Sequence, residues 1–161
     1  MTDPAGTQAD PIRTETVGAD TMMAAVTVTA PRPVVFSAFT DPDVLAQWFW
    51  PQRFGTQFVS DLRPGGEFKI IAAGLPEGQD MGVSGVYQDV EAPARVTMSW
   101  QWNGETPVTH VSIELTEAAP DRTEVSVTHT ANPTVTDRDD HVVGWRDCLT
   151  RLVQKYGTTS R

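Results

Sequence analysis

The sequence predicts an α+β fold in which a curved antiparallel sheet of about six to seven strands wraps around one long C-terminal helix. Seven short stretches between residues 22 and 130 alternate apolar and polar side chains, the period of a strand with one buried face. The one long amphipathic segment, residues 136–156, comes last. A sheet with one apolar face needs a cover, and this helix can supply it.

Length and charge limit the classes of function. The 161 residues suit one domain with one core. The formal net charge of −9 argues against nucleic acid or an anionic membrane as partner, because both attract clustered Lys and Arg. No apolar run approaches the roughly 18 residues that would insert into a membrane. Without a secretory leader pattern, and with Cys148 as the single cysteine, a cytoplasmic protein is expected.

Both ends are expected to lie outside the folded domain. Residues 1–20 are polar and contain only Ile12 and Val17 as large aliphatic residues, which predicts a flexible tail. The domain itself is expected to span residues 21–157. Residues 158–161 would form a second, short tail.

The domain opens with a strand and two short helices. The β-branched stretch "MMAAVTVTA" (22–30) alternates as a strand does. In "PRPVVFSAFTDPDVLAQWFW" (31–50), Asp41 precedes Pro42, which predicts an N-cap followed by the first helical residue. The helical spacing i, i+3, i+4 then predicts a buried stripe formed by Leu45, Trp48 and Phe49.

Six further alternating stretches predict the rest of the sheet. They lie at residues 56–62, 66–73, 81–90, 95–102, 108–117 and 123–130. Between the first two, Pro64 fixes φ, and Gly65 and Gly66 allow the positive φ values of a tight hairpin turn. Because a strand and not a helix follows, this glycine run lacks the helix N-terminus that a phosphate site would need.

The last segment, residues 136–156, predicts the covering helix. Thr136 and Asp137 are its capping candidates. Apolar residues then repeat at helical spacing and predict one buried face: Val142, Trp145, Leu149, Leu152 and Tyr156.

Strand alternation also predicts which side chains point into the space between sheet and helix. We expect a mostly apolar wall with few polar groups, the usual form of a small-molecule site. In residues 81–90 the alternation is weak, and Tyr87, Gly85 and Asp89 are expected to share the inner face. The candidate ligand contacts are Phe68, Tyr87, Met98, Trp100, Trp102, Val127, His129 and Trp145.

The histidines and the cysteine have separate interpretations. His129 ends an inner face, where a neutral imidazole could fix a ligand, act as a general base, or simply bond a backbone carbonyl. His110 should face solvent, and His141 should lie near solvent or the mouth of the cavity. No metal-binding spacing links them, so neither a metal nor another cofactor is expected. Cys148 is interpreted as a packing residue.

Several segments, taken in order, resemble the START-like (SRPBCC) superfamily, in the branch of the heat-shock-protein-90 ATPase activator homologues. They are "APRPVVFSAFTDPDVLAQWFWP", "DLRPGGEFKI", "GVYQDVEAPARVTMSWQW", "THVSIELTEAAPDRTEVSVTHT" and "HVVGWRDCL". The resemblance covers about residues 22–156. It implies the helix-grip fold and a deep apolar cavity for a small hydrophobic ligand. Roles in that superfamily include transport, polyketide cyclisation, sensing and sequestration of toxic metabolites.

The first functional hypothesis is therefore binding of a small hydrophobic, ring-bearing metabolite for transport, sensing or sequestration. The alternative is a polyketide aromatase/cyclase in which His129, Tyr87 or Asp89 moves protons. A further alternative is a module that modulates a chaperone. The glycine-containing loop at residues 72–82 is a candidate lid. The oligomeric state stays open, with a homodimer among the states that the sequence allows.

Overall fold

In the computed structural model, which describes residues 11–72 and 81–158, the chain forms eight strands and three α-helices. The strands are β1 (Arg13–Val17), β2 (Thr21–Val28), β3 (Thr56–Ser60), β4 (Glu67–Ala72), β5 (Gly82–Glu91), β6 (Arg95–Trp102), β7 (Thr109–Ala119) and β8 (Arg122–Thr130). The helices are α1 (Arg32–Thr40), α2 (Pro42–Trp48) and α3 (Val135–Tyr156). A single 3-10 turn at Gln52–Phe54 follows α2. The predicted α+β class is confirmed.

All eight strands belong to one antiparallel sheet with the order β1-β2-β8-β7-β6-β5-β4-β3. Helix α3 packs against β1, β2 and β8 and also contacts α2. Its buried face consists of Trp145, Cys148, Leu149 and Leu152. This is the helix-grip arrangement, with the core between the curved sheet and α3. No helix among the described residues is long and apolar enough to cross a membrane.

Strand β1 corrects the expected N-terminal tail and raises the strand number to eight. Residues 13–17 pair with β2, with Thr14 opposite Ala24. Most of these side chains are exposed, so the strand carries no inward apolar alternation that could have predicted it. It is held by main-chain pairing, by the buried side chain of Ile12, and by an ion pair of 2.6 Å between Arg13 and Glu124. Charged residues are typical of such a sheet edge.

The two predicted helix caps have different outcomes. Asp41 caps α2 as expected, since its carboxylate accepts a hydrogen bond of 2.9 Å from the backbone N–H of Asp43. Helix α3 begins earlier than predicted: Thr134 is its N-cap and accepts a bond of 3.0 Å from the N–H of Asp137. Thr134 and Thr136 are equally suitable residue types, and only the local backbone decides between them.

The predicted hairpin turn joins β3 and β4, but its two glycines have different roles. Gly65 has a φ of +85°, as expected. Gly66 is required by a close approach instead, because a Cβ there would lie 1.9 Å from the carbonyl oxygen of Asp61. The turn also bonds to β5: Gly65 N–H donates to the Tyr87 carbonyl, and Tyr87 N–H donates to the Gly66 carbonyl.

The inner faces of β4, β6, β7 and β8 agree with the alternation, whereas β5 departs from it. Gly85 and Tyr87 are buried, but Asp89 is exposed. The pairing of β5 with β6 shifts between Tyr87 and Val90, and this bulge turns Asp89 outward. There its carboxylate contacts Thr97 and Arg95 on the outer side of the sheet. Residues 73–80 of the candidate lid lie outside the described residues.

Candidate functional site

The predicted contact residues lie in one aromatic cluster between the sheet and α3. Trp100 of β6 is at its centre, with its ring centroid 5.5 Å from that of Trp145, 5.8 Å from His129 and 6.0 Å from Phe68. Tyr87 packs against Phe68 at 5.7 Å. All of these side chains are buried, as are Met98 and Val127, while Trp102 is half-buried.

Three members of the cluster were not among the predicted contacts. Phe49, at the C-terminal end of α2, lies 5.8 Å from Trp145 and 6.5 Å from Trp100. Trp50 stacks on Trp102 at 5.9 Å with 8° between the planes. His141 of α3 stacks on the rings of Trp102 and His129. The run "WFW" at residues 48–50 is the sequence signal that could have indicated the first two.

A cavity of about 40 Å³ lies within this cluster. Its lining residues are Phe49, Trp100, Trp102, His141, Gly144, Trp145 and Cys148. One water molecule occupies about 30 Å³ of liquid, and small-molecule sites usually measure about 300–1,000 Å³. Aromatic side chains therefore fill most of the deep cavity that the family resemblance implies.

The hydrogen bonds around His129 fix its tautomer. Trp145 Nε1–H donates to His129 Nδ1 at 3.0 Å, so Nδ1 must be unprotonated. The hydroxyl of Thr109 donates to the carbonyl of Trp100 at 2.9 Å. Its oxygen is then the acceptor for His129 Nε2–H at 2.6 Å. Burial, and next the nearby His141, lower the pKa of His129 to about 2. His129 is thus a satisfied buried histidine, held by side chains and not by a backbone carbonyl.

His141 is held in the opposite tautomer. Trp102 Nε1–H donates to His141 Nε2 at 2.9 Å. His141 Nδ1–H therefore donates to Asn132 Oδ1 at 2.6 Å. Burial lowers the pKa of His141, and the nearby carboxylates of Asp137 and Asp140 partly oppose this shift. The planes of the His129 and His141 rings differ by 26°, and their centroids are 3.9 Å apart.

The residues expected to move protons therefore already have hydrogen-bond partners or lie away from the cavity. Each nitrogen of His129 and His141 has a hydrogen-bond partner, and each ring would lose an indole bond on protonation. The hydroxyl of Tyr87 bonds to Ser60 at 2.6 Å, and burial raises its pKa to about 12. Asp89 faces the outside of the sheet. Of these groups, only His141 lines the cavity.

One buried donor in the cluster has no partner. Trp100 Nε1 forms no hydrogen bond with any described residue, although Trp100 is only 3% exposed. An unpaired buried N–H costs about 1–3 kcal/mol of desolvation, and such groups are uncommon in folded proteins. Among the described residues, the other buried side-chain atoms in this state, Arg32 Nε and Thr56 Oγ1, belong to residues that do not line the cavity.

The remaining candidates are the metal-binding side chains and the cysteine nucleophile. Within residues 11–72 and 81–158, no group of three or more His, Cys, Asp and Glu is arranged to hold a metal ion. Cys148 is buried on α3 and lines the cavity, where desolvation raises the pKa of its thiol. It is therefore a neutral, apolar part of the wall, as the sequence predicted. His110 is exposed on β7, also as predicted.

Comparisons with known proteins confirm the predicted fold and family. A protein from Rhodobacter sphaeroides superposes with a TM-score of 0.76 and 21% identity, covering 88% of this chain and 94% of that one. An HSP90 activator from Plasmodium falciparum gives 0.65 and 21%, covering 85% and 97%. DynU16, from the dynemicin biosynthetic locus, gives 0.69 and 25%, covering 88% of this chain and 49% of its own.

No match was found among curated proteins. The family model described as Activator of Hsp90 ATPase homolog 1-like protein matches residues 29–156, which run from the end of β2 to the end of α3. This match includes the aromatic cluster, both histidines of the stacked pair and the cavity wall. Since it spans most of the chain, the protein belongs to the family of Activator of Hsp90 ATPase homolog 1-like proteins.

Proposed function

We propose that the protein binds a small hydrophobic, ring-bearing molecule between β6 and α3, for transport, sensing or sequestration. The observation that carries this proposal is the unpaired N–H of Trp100 in an aromatic cluster where the other indole and imidazole groups of the cavity wall are paired. A bound molecule with a hydrogen-bond acceptor would satisfy that donor. DynU16, a structural neighbour, lies in a biosynthetic locus, which agrees with a small-molecule ligand.

Binding requires the cavity to widen, and the wall formed by Trp102 is the part best suited to move. Trp102 is half-buried and is held by a single indole hydrogen bond to His141 and by parallel stacking on Trp50. Gly144 beside it is exposed, and a Cβ there would meet nothing within 4 Å. A shift of the Trp102 ring toward solvent that keeps its bond to His141 would therefore widen the cavity.

Apolar burial is the main driving force for such binding. A two- or three-ring molecule that buries about 200 Å² gains about 5 kcal/mol at about 25 cal/mol per Å². Edge-to-face contacts with aromatic rings add about 0.5–1.5 kcal/mol each.

The geometry favours binding over proton transfer. A cyclase needs at least one acid or base with a free position at the reacting atom. His129 and His141 have both ring nitrogens occupied, and Tyr87 is paired with Ser60. The likeness to an HSP90 activator is 21% in sequence and concerns the fold. We therefore place ligand binding ahead of catalysis and ahead of chaperone modulation.

The test is a binding screen of the parent protein and two variants of α3. Native mass spectrometry with a panel of neutral two- and three-ring compounds should give complexes with the parent. Gly144→Leu should weaken every complex at least tenfold, because the new side chain occupies the mouth of the cavity. Val143→Leu, one residue away and 60% exposed, is the matched control and should bind as the parent does. If the parent retains no compound, or if Gly144→Leu binds as tightly as the parent, the proposed site is wrong.

A further inference from the structure

Among the described residues, the nitrogen and oxygen atoms of the side chains that line the cavity include one free donor and no free acceptor. Trp102 Nε1–H and Trp145 Nε1–H are both donated to imidazole nitrogens. His141 has no nitrogen left, because Nε2 accepts from Trp102 and Nδ1 donates to Asn132. Phe49 and Gly144 contribute no polar side-chain atom. Only the N–H of Trp100 is available among the described lining residues.

The groups just behind the wall are also hydrogen-bonded to one another. His129, directly behind Trp100 and Trp145, accepts from one indole and donates to Thr109. The Thr109 hydroxyl donates in turn to the Trp100 carbonyl. The thiol of Cys148 stays protonated, since burial raises its pKa, and a thiol is a weak partner in either role.

The wall is also without charge. None of the lining residues is Asp, Glu, Lys or Arg, and both nearby imidazoles are neutral as hydrogen-bonded. A buried carboxylate or ammonium would therefore lose its hydration without gaining an ion pair. A hydroxyl or amine would bring a donor for which this wall has no acceptor, and that donor would be left unpaired. A carbonyl oxygen brings no donor and can accept from Trp100.

From this arrangement we propose that the ligand class is the uncharged planar aromatic carbonyl compounds, aryl ketones and quinones, with the carbonyl oxygen bonded to Trp100 Nε1. This inference rests on the proposed function and adds the chemistry that selects the ligand. Parallel and edge-to-face rings of Phe49, Trp102 and Trp145 would hold the planar skeleton. Trp100 would then be the specificity-determining residue of the site.

The inference is tested with three probes that share one skeleton: 9-fluorenone, which carries the carbonyl; fluorene, in which a CH₂ replaces it; and 9-fluorenol, which carries a donor. The parent should bind 9-fluorenone about 5- to 10-fold more tightly than fluorene, the usual effect of one neutral hydrogen bond. 9-Fluorenol should bind more weakly than 9-fluorenone. Native mass spectrometry or titration calorimetry measures all three constants.

Two tryptophan variants separate the donor from the ring. Trp100→Phe removes the free N–H and keeps an aromatic side chain, so it should abolish the preference for 9-fluorenone over fluorene. Trp102→Phe removes an N–H that His141 already accepts and should keep the preference. Independently of either variant, the indole N–H resonance of Trp100 in the parent should move downfield with 9-fluorenone and not with fluorene. That measurement decides the question if Trp100→Phe does not fold.

The outcomes distinguish this inference from the proposed function. If fluorene binds as tightly as 9-fluorenone, or if 9-fluorenol binds most tightly, the inference that the wall offers only a hydrogen-bond donor is refuted. Ligand binding itself then stands. If Trp100→Phe and Trp102→Phe lose the preference equally, the bond does not come from Trp100. If no neutral ring compound binds the parent, both proposals fail.

Discussion

Lowering the pH should destabilise this protein through His129, before most carboxylates are protonated. The folded protein keeps the imidazole neutral, with a pKa of about 2, whereas an unfolded histidine has a pKa of about 6.5. Between these values the unfolded state binds one more proton than the folded state. The free energy of unfolding is therefore fully retained above pH 6.5 and falls as the pH decreases toward 2.

The size of the effect follows from the two pKa values. Well below pH 6.5 each pH unit costs about 1.4 kcal/mol, so the fall from pH 7.5 to 4.5 amounts to about 3 kcal/mol for His129 alone. The pKa of His141 is lowered too, so its contribution has the same sign. A loss of this size is a large part of the roughly 5–15 kcal/mol that stabilises a domain.

Urea unfolding at pH 7.5, 6.5, 5.5 and 4.5 measures the effect. His129→Phe keeps a flat ring beside His141 but cannot titrate, so its free energy of unfolding should decline about 3 kcal/mol less than that of the parent between pH 7.5 and 4.5. Its starting stability will be lower because Trp145 Nε1–H loses its acceptor. Parallel curves for the parent and His129→Phe would refute the reasoning.

Three further changes test the described geometry by urea unfolding. Gly144→Ala should raise the free energy of unfolding by up to about 1 kcal/mol, since it adds a helix-favouring residue where a Cβ meets nothing within 4 Å; a loss would contradict the open space there. Thr134→Ala should cost about 1 kcal/mol and Thr136→Ala much less, because Thr134 is the N-cap of α3; equal costs would argue against that cap. Gly66→Ala should cost several times more than Gly144→Ala gains, because its Cβ would lie 1.9 Å from the Asp61 carbonyl oxygen, and unchanged stability would exclude that contact.

The sequence was sufficient for most of the fold because the strands have one buried face. A period of two places Met98, Trp100, Val127 and His129 inside without any knowledge of strand order, and the structure agrees. The same argument fails at Asp89, because a bulge changes the period, and a bulge depends on how two strands pair. It also misses β1, whose stability comes from main-chain pairing with β2 and not from an apolar face.

The candidate site was only partly predictable for a different reason. Its hydrogen bonds join groups far apart in the chain: Trp102 with His141, and Asn132 with the carbonyl of Asp20. No local pattern encodes such pairs, so the sequence left His129 open between ligand contact, base and buried structural residue. The fold brings the partners together, and the partners then determine the protonation of both imidazoles.

The structure distinguishes two tryptophans for which strand alternation predicts the same position. Trp100 and Trp102 lie two residues apart on β6 and point to the same face. Trp102 donates its N–H to His141 and is half-buried, so it belongs to the hydrogen-bonded wall. Trp100 is buried at the centre of the cluster and has no partner for its N–H among the described residues. Because a buried donor is costly to leave unpaired, the proposed site would use Trp102 to maintain the wall and Trp100 to recognise a ligand.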